Sequence, residues 1–279
     1  MNKKTDMKTI LKKVLMYTVL IMGALVMVFP FYWMITSAFK TRMEIAKFPP
    51  QWIPTKWVLD NFIFALKTAP FARYFMNSLI VTICCVACTG FTTILGAFAF
   101  SRLKFPGRDL IFSFLLSLMM IPFEMLVITN YRTIIGMGLN NTIPAMIIPF
   151  TSSIFYTYIL RNFFLSIPDS LYQSARIDGA TNWQYLWKVM VPIAKPSLVT
   201  ILLLNAISCW NAFLWPMLVT NTASTRTLPF GLYIFMTEGG ARNEYMMAAA
   251  TIVVLPVIIL FLFARKSIVS GVARGGLKG

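Results

Sequence analysis

Residues 168–198 read PDSLYQSARIDGATNWQYLWKVMVPIAKPSL, a polar segment with helix-forming residues held between two long apolar runs. Ser166, Pro168 and Asp169 have the chemistry of a helix start. A side-chain oxygen accepts from the first free N–H groups, proline tolerates the first turn, and an acid there suits the dipole. Gly179 stops that helix, since glycine enters the left-handed C-cap without steric cost. Asn182 is placed to cap a second helix, along which Trp183, Leu186, Trp187 and Met190 fall on one stripe. Pro192 and Pro196 are expected to end it. Two short helices meeting at a glycine, with Ser174, Ala175 and Ala180 around the bend, form a compact knob that another protein can approach closely.

The rest of the chain says where that knob sits. Of 279 residues, 58% are hydrophobic and 12% charged, and the mean hydropathy is +0.73. Soluble domains average about 45–50% apolar and about 25% charged, so the composition is that of a membrane protein. The first apolar run is longer than the core of a secretory signal and no small-residue cleavage site follows it, so it is expected to remain as a span. The net charge of +16 comes from short basic segments between apolar runs, which are topology signals rather than a nucleic-acid surface.

Six spans are expected, at about 14–35, 74–100, 110–129, 139–160, 197–219 and 245–264, in one transmembrane domain over 1–279. Val14 to Ile35 alone is 22 residues without a charge, enough for a hydrocarbon core of about 30 Å. Between the first two spans, KFPPQWIP (47–54) denies a helix, and Trp52 and Trp57 suit a membrane interface. With a cytoplasmic N-terminus, 16 of the 25 Lys and Arg lie on the cytoplasmic side, which places both termini and the 164–196 loop there.

The chain has no His, nine Asp plus Glu and no GxxxxGK[ST] loop. The usual general base is missing, the acids of an ion relay are nearly missing, and ATP cannot be bound in the phosphate-loop manner. Cys84, Cys85 and Cys88 share one apolar span and Cys209 lies in another, a pattern read as small apolar packing rather than half a metal site. Neither metal nor cofactor is expected on this chain. A transporter so equipped borrows its energy, and the knob is where a partner ATPase would push. Glu124, in the third span, is either a gate or substrate hydrogen-bonder or a loop-end carboxylate facing water. Asn205, Trp210, Asn211 and Trp215 share one broad face of the fifth span, which suits a sugar path and equally suits packing between helices.

The residues also carry a resemblance. The run from Tyr172 to Pro192 resembles the cytoplasmic loop of the inner-membrane permease subunits of ABC importers, with its Glu-Ala-Ala, Gly and Ile-x-Leu-Pro pattern. Here the positions are Gln173-Ser174-Ala175, Gly179 and Val189-Met190-Val191-Pro192. ARIDGA (175–180) is similar to the form in the carbohydrate branch, the maltose-type permeases. MITSAFKT (34–41), PPQWIP with Asn61-Phe62, Asn77-Ser78, WNAFLWP (210–216) and the tail Gly275-Gly276-Leu277-Lys278-Gly279 extend the likeness over nearly the whole chain. The resemblance implies an all-α, six-span permease of the type I ABC importer fold, importing a sugar or a related polyol or glycerol phosphate. It implies a second permease subunit, two ATP-binding subunits that hold the ATP, an extracytoplasmic solute-binding protein and a bacterial-type inner membrane. The knob would then be the coupling helix seated in a cleft of the ATPase. Gln173, Ser174, Ala175, Arg176, Asp178, Gly179 and Pro192 would be its contact residues. Gln173 replaces the usual Glu, so a hydrogen bond stands where a salt bridge would be. The rival reading is a channel or facilitator that needs no ATPase; a membrane-embedded enzyme is disfavoured by the missing His and scarce acids.

Overall fold

In the computed structural model, residues 7–237 and 242–276 are described, and among them there is helix and no strand. Lys3, Lys4 and the last three residues of the tail motif lie outside them. The helices are α1 (Met7–Ala38), α2 (Arg42–Ala46), α3 (Asp60–Thr68), α4 (Phe71–Arg102), α5 (Arg108–Leu118), α6 (Phe123–Gly136), α7 (Ile143–Ile147) and α8 (Ile154–Leu165). They continue as α9 (Asp169–Ile177), α10 (Asn182–Tyr185), α11 (Val191–Ile193), α12 (Lys195–Trp210), α13 (Leu214–Val219), α14 (Phe230–Thr237) and α15 (Asn243–Gly276).

Prolines mark the breaks in several apolar runs, although Pro30 in α1 and Pro256 in α15 lie inside continuous helices. Thr9–Ala38 and Phe71–Arg102 are each long and apolar enough to cross a membrane alone. The third and fifth expected spans are broken instead, and the fourth is bent, in keeping with the interruption expected from Pro144 and Pro149. α5 and α6 meet at 97°, residues 143–150 and α8 at 45°, and residues 182–193 and α12 at 80°. A proline lacks the N–H for the i−4 carbonyl and its ring clashes with it. Pro122 accordingly ends α5 at Leu118, and Pro196 opens α12 after a bend at Ala194. The expected fifth span, 197–219, likewise stops at Trp210 and resumes at Leu214, because Pro216 forbids a helix running through Ala212. The sixth is part of the continuous α15.

The contacts group into two compact units, Met1–Ala69 with Leu232–Leu255, and Pro70–Gly231 with Pro256–Gly279. In the second, α4 packs along α8 and α12. Small residues let these backbones close up, as is common between membrane helices. A Cβ at Gly90 would lie 2.7 Å from Leu202 Cδ2. In the first unit, Asn61 Nδ2 donates to the carbonyls of Ala38 and Lys40, 2.9 Å each, holding α3 to the end of α1. Phe64 stacks on Tyr245 at 4.0 Å.

Candidate functional site

The 164–196 loop is a bent helix pair, and its joint is built as its residue types require. Gly179 has φ +74°, the Ala180 N–H donates to Ala175 O (2.9 Å) and the Gly179 N–H to Arg176 O (3.1 Å). This is a Schellman closure of α9. The second helix is capped by Thr181, not Asn182. Thr181 Oγ1 accepts from the Gln184 N–H (3.2 Å) while Gln184 Oε1 accepts from the Thr181 N–H (2.9 Å). That reciprocal capping box satisfies two free donors at once, so Asp178 caps nothing in the second helix. Asn182 instead accepts from Tyr172 Oη (2.8 Å), and the rings of Tyr172 and Tyr185 meet at 5.0 Å, tying the two helices across the joint.

Two other expectations about local structure fail for visible reasons. Ser166 does not start α9; it closes α8, its hydroxyl donating to Phe163 O at 2.7 Å. Pro192 does not end the second helix either. Residues 186–190 widen into a π-turn, with the Val191 N–H donating to Leu186 O, and Pro192 is carried within the continuing turn. The wider turn relieves the contact between a proline ring and the preceding carbonyls.

The two halves of the pair are anchored differently. No residue of α9 is buried. Gln173, Ser174, Arg176, Asp178, Gly179 and Pro192 are exposed, and Ala175 is half-buried. The second half is rooted in a core where Tyr185, Leu186 and Met190 pack with Phe98, Leu160 and Phe164. Trp187 packs against the same core, whereas Trp183 leaves the expected stripe and is exposed, its ring edge-on to Trp187 at 5.6 Å. Arg102, at the last turn of α4, completes the anchor. Its guanidinium donates to the carbonyls of Phe164 (2.7 Å) and Ile167 (2.6 Å) and pairs with Asp169. Sequence reading counted Arg102 only as a topology charge. Its one signal was an arginine at a helix end, and its partners are 62 to 67 positions away.

A second feature lies among α4, the 143–153 segment, α8 and α12. It is a cavity of about 220 Å³ whose walls include Cys85, Tyr156, Asn205, Ser208 and Trp215. Asn205 Oδ1 accepts from Cys209 Sγ (3.1 Å), and Trp215 Nε1 donates to Ala145 O (3.0 Å). Thr89 and Thr92 donate to the carbonyls of Phe150 (2.6 Å) and Thr151 (2.8 Å), holding the break before α8 against α4. Of the residues expected on one face, Asn205 and Trp215 reach this cavity. Trp210 turns toward Phe75, ring to ring at 5.6 Å, and Asn211 is exposed at the end of α12. The expected face presumed an unbroken helix, and the break before α13 dissolves it. Glu124 is exposed in the first turn of α6, apart from the cavity.

The comparisons with known proteins agree with this architecture. The chain is 35% identical to the diacetylchitobiose uptake system permease protein DasC of Streptomyces coelicolor, covering 91% of this chain and 92% of that one. It is 31% identical to the arabinooligosaccharides transport system permease protein AraQ of Halalkalibacterium halodurans (92% and 93%) and 31% to the inner membrane ABC transporter permease protein YcjP of Escherichia coli (100% and 99%). A chain from the crystal structure of a bacterial ABC transporter involved in the import of the acidic polysaccharide alginate superposes with a TM-score of 0.81. At 23% identity over 95% of this chain and 99% of that one, this likeness establishes the fold. It is the all-α permease fold that the sequence resemblance implied. The relatives are permease proteins, in line with a transport subunit rather than an enzyme. The family described as binding-protein-dependent transport system inner membrane component matches residues 92–274, and the chain belongs to it.

Proposed function

We propose that the chain is the transmembrane permease subunit of an ATP-driven importer of a sugar or a related polyol or glycerol phosphate. In this reading it crosses the membrane six times with both termini in the cytoplasm, pairs with a second permease, and is served by two ATP-binding subunits and an extracytoplasmic solute-binding protein. ATP is held by the partner subunits. The observation that carries the reading is the asymmetry of the bent pair: an exposed, glycine-jointed half continuous with a half that is locked into the helical core. Closure of the ATPase pair pushes α9 through contacts at Gln173, Ser174, Ala175, Arg176 and Asp178. Gly179 keeps the bend open to a close-fitting neighbour, and the rooted half passes the displacement to α4, α8 and α12, tilting the passage between its two accesses.

The oligosaccharide permeases among the relatives support a carbohydrate as cargo. The cavity walls suit it, since Trp215 and Tyr156 offer faces for sugar C–H groups and Asn205 and Ser208 offer hydrogen bonds. Small-molecule sites enclose about 300–1,000 Å³. A cavity of about 220 Å³ is below that range, consistent with a wall to which a second permease adds the rest.

Gly179→Asp in the assembled transporter tests the coupling role. No atom lies within 4 Å of a Cβ at this position; the positive φ strains any L side chain, aspartate less than most, and the joint is exposed, so the variant is expected to insert and assemble. Uptake and binding-protein-stimulated ATP hydrolysis are expected to be lost. Normal uptake by an assembled Gly179→Asp transporter, or sugar flux through this chain alone without ATP, would overturn the reading.

A further inference from the structure

The chain between α1 and α3 folds back along α1 instead of leaving it. Trp52 packs beside Phe29 (5.8 Å between rings) and Trp33 (6.1 Å), and its carbonyl accepts from Tyr32 Oη at 2.9 Å. Phe29 precedes the end of α1 by nine residues, so at about 1.5 Å per residue the loop descends roughly 13 Å down the helix. Lys40 fastens it there. Its ammonium lies 4.2 Å above the Trp33 ring and donates to Gln51 O, and the residue is 1% exposed.

What the folded-back loop presents is apolar. Phe48 is 92% exposed, Ile53 65%, Trp52 59% and Trp57 62%. Monomeric soluble surfaces rarely gather such side chains in one patch. Beside them, residues 9–32 of α1 are apolar for most of their length and exposed throughout. Three cations rim the patch. Arg42, Lys47 and Lys56 are exposed and have no ion-pair partner among the described residues. The nearby carboxylate is committed elsewhere: Glu44 accepts from the backbone N–H groups of Thr41 (2.9 Å) and Thr55 (3.0 Å), closing the loop on itself. Aromatic rings with flanking cations are the composition of a membrane interface, where the ring body is apolar and the charges reach headgroups.

We propose that residues 42–59 are a lipid-binding wedge. Phe48, Trp52 and Ile53 sit among acyl chains in the leaflet reached by the C-terminal end of α1, and Arg42, Lys47 and Lys56 bind anionic phosphate headgroups. The wedge does not depend on the cargo or on the coupling role of the bent pair. The occupants it excludes are the solute-binding protein and the partner permease.

The test places the photo-crosslinker p-benzoylphenylalanine at position 48 of the assembled transporter, in vesicles of phosphatidylethanolamine and phosphatidylglycerol. After illumination, mass spectrometry of this chain is expected to find a phospholipid adduct. Adducts to protein alone, or no lipid adduct, overturn the proposal. A preference for phosphatidylglycerol is also expected: fewer adducts form in a second set of vesicles in which phosphatidylcholine replaces it. Neutralising Arg42, Lys47 and Lys56 to Gln lowers that preference about fivefold per cation. An unchanged preference removes the headgroup half, and the two vesicle compositions decide the same point with the cations intact should the triple variant fail to assemble.

Discussion

α9 and residues 182–193 are joined by four residues around Gly179, yet they meet opposite environments. α9 buries none of its residues, and only Tyr172 and Ala175 touch the core. The following helix puts Tyr185, Leu186 and Met190 at 1% exposure or less. The difference separates two tasks that one helix cannot combine. A surface that must fit a neighbour needs free side chains, and a part that must carry force needs packing that leaves it no alternative position.

That contrast can be broken from either side. Met190→Ala empties a filled site in the rooted half and is expected to cost about 2–5 kcal/mol, read as a lower thermal midpoint of the solubilised transporter. Arg102→Met comes next, at about 1–3 kcal/mol. The pair with Asp169 contributes little of this, because the Asp169 side chain is 81% exposed. The loss is dominated by the carbonyls of Phe164 and Ile167, which would be left without their donor. Thr181→Ala removes the capping box and costs about 1 kcal/mol, visible as faster hydrogen exchange confined to residues 181–185. Ile177→Ser, at a side chain 86% exposed, is expected to change stability by less than about 0.5 kcal/mol. It nevertheless lowers coupled ATP hydrolysis, because it alters the face that α9 offers. A large stability loss from Ile177→Ser would erase the distinction between the halves.

A smaller effect comes from the loop between α1 and α3. Hydrogen bonds from the Thr55 side chain and then the Thr41 backbone draw Glu44 from its ordinary 4.5 down to about 2. The folded loop therefore binds the proton less readily than the unfolded one. Its clamp is fully present above pH 4.5 and is lost as pH falls toward 2. Pepsin cleavage within 41–58 is expected to rise over that window, and Glu44→Gln to make cleavage independent of it.

The bend at Gly179 was legible because a positive φ has a local signature, and the apolar runs because hydropathy needs no partner. The capping residue was missed by one position: Thr181 and Gln184 stand three apart, and that spacing, rather than Asn182, marks the start. The breaks in the expected third and fifth spans were written in Pro122 and Pro216, but hydropathy alone runs through them. The shared face from Asn205 to Trp215 failed for that reason. Arg102 was illegible because its carbonyl partners become neighbours only after α4 and α8 have packed.

α4 is unlike the proline-cut segments packed along it: between Phe71 and Arg102 it contains no proline. At about 1.5 Å per residue it is a rod roughly 48 Å long. One end grips Asp169 through Arg102; near the other, Asn77 Nδ2 donates to the carbonyls of Ser224 and Arg226 and Ser78 Oγ accepts from the Leu228 N–H. With no elbow of its own, it would, under the proposed coupling role, turn a push beside α9 into a shift of the 224–228 turn of similar size. Compliance in this half of the molecule must come from the proline-cut helices around it.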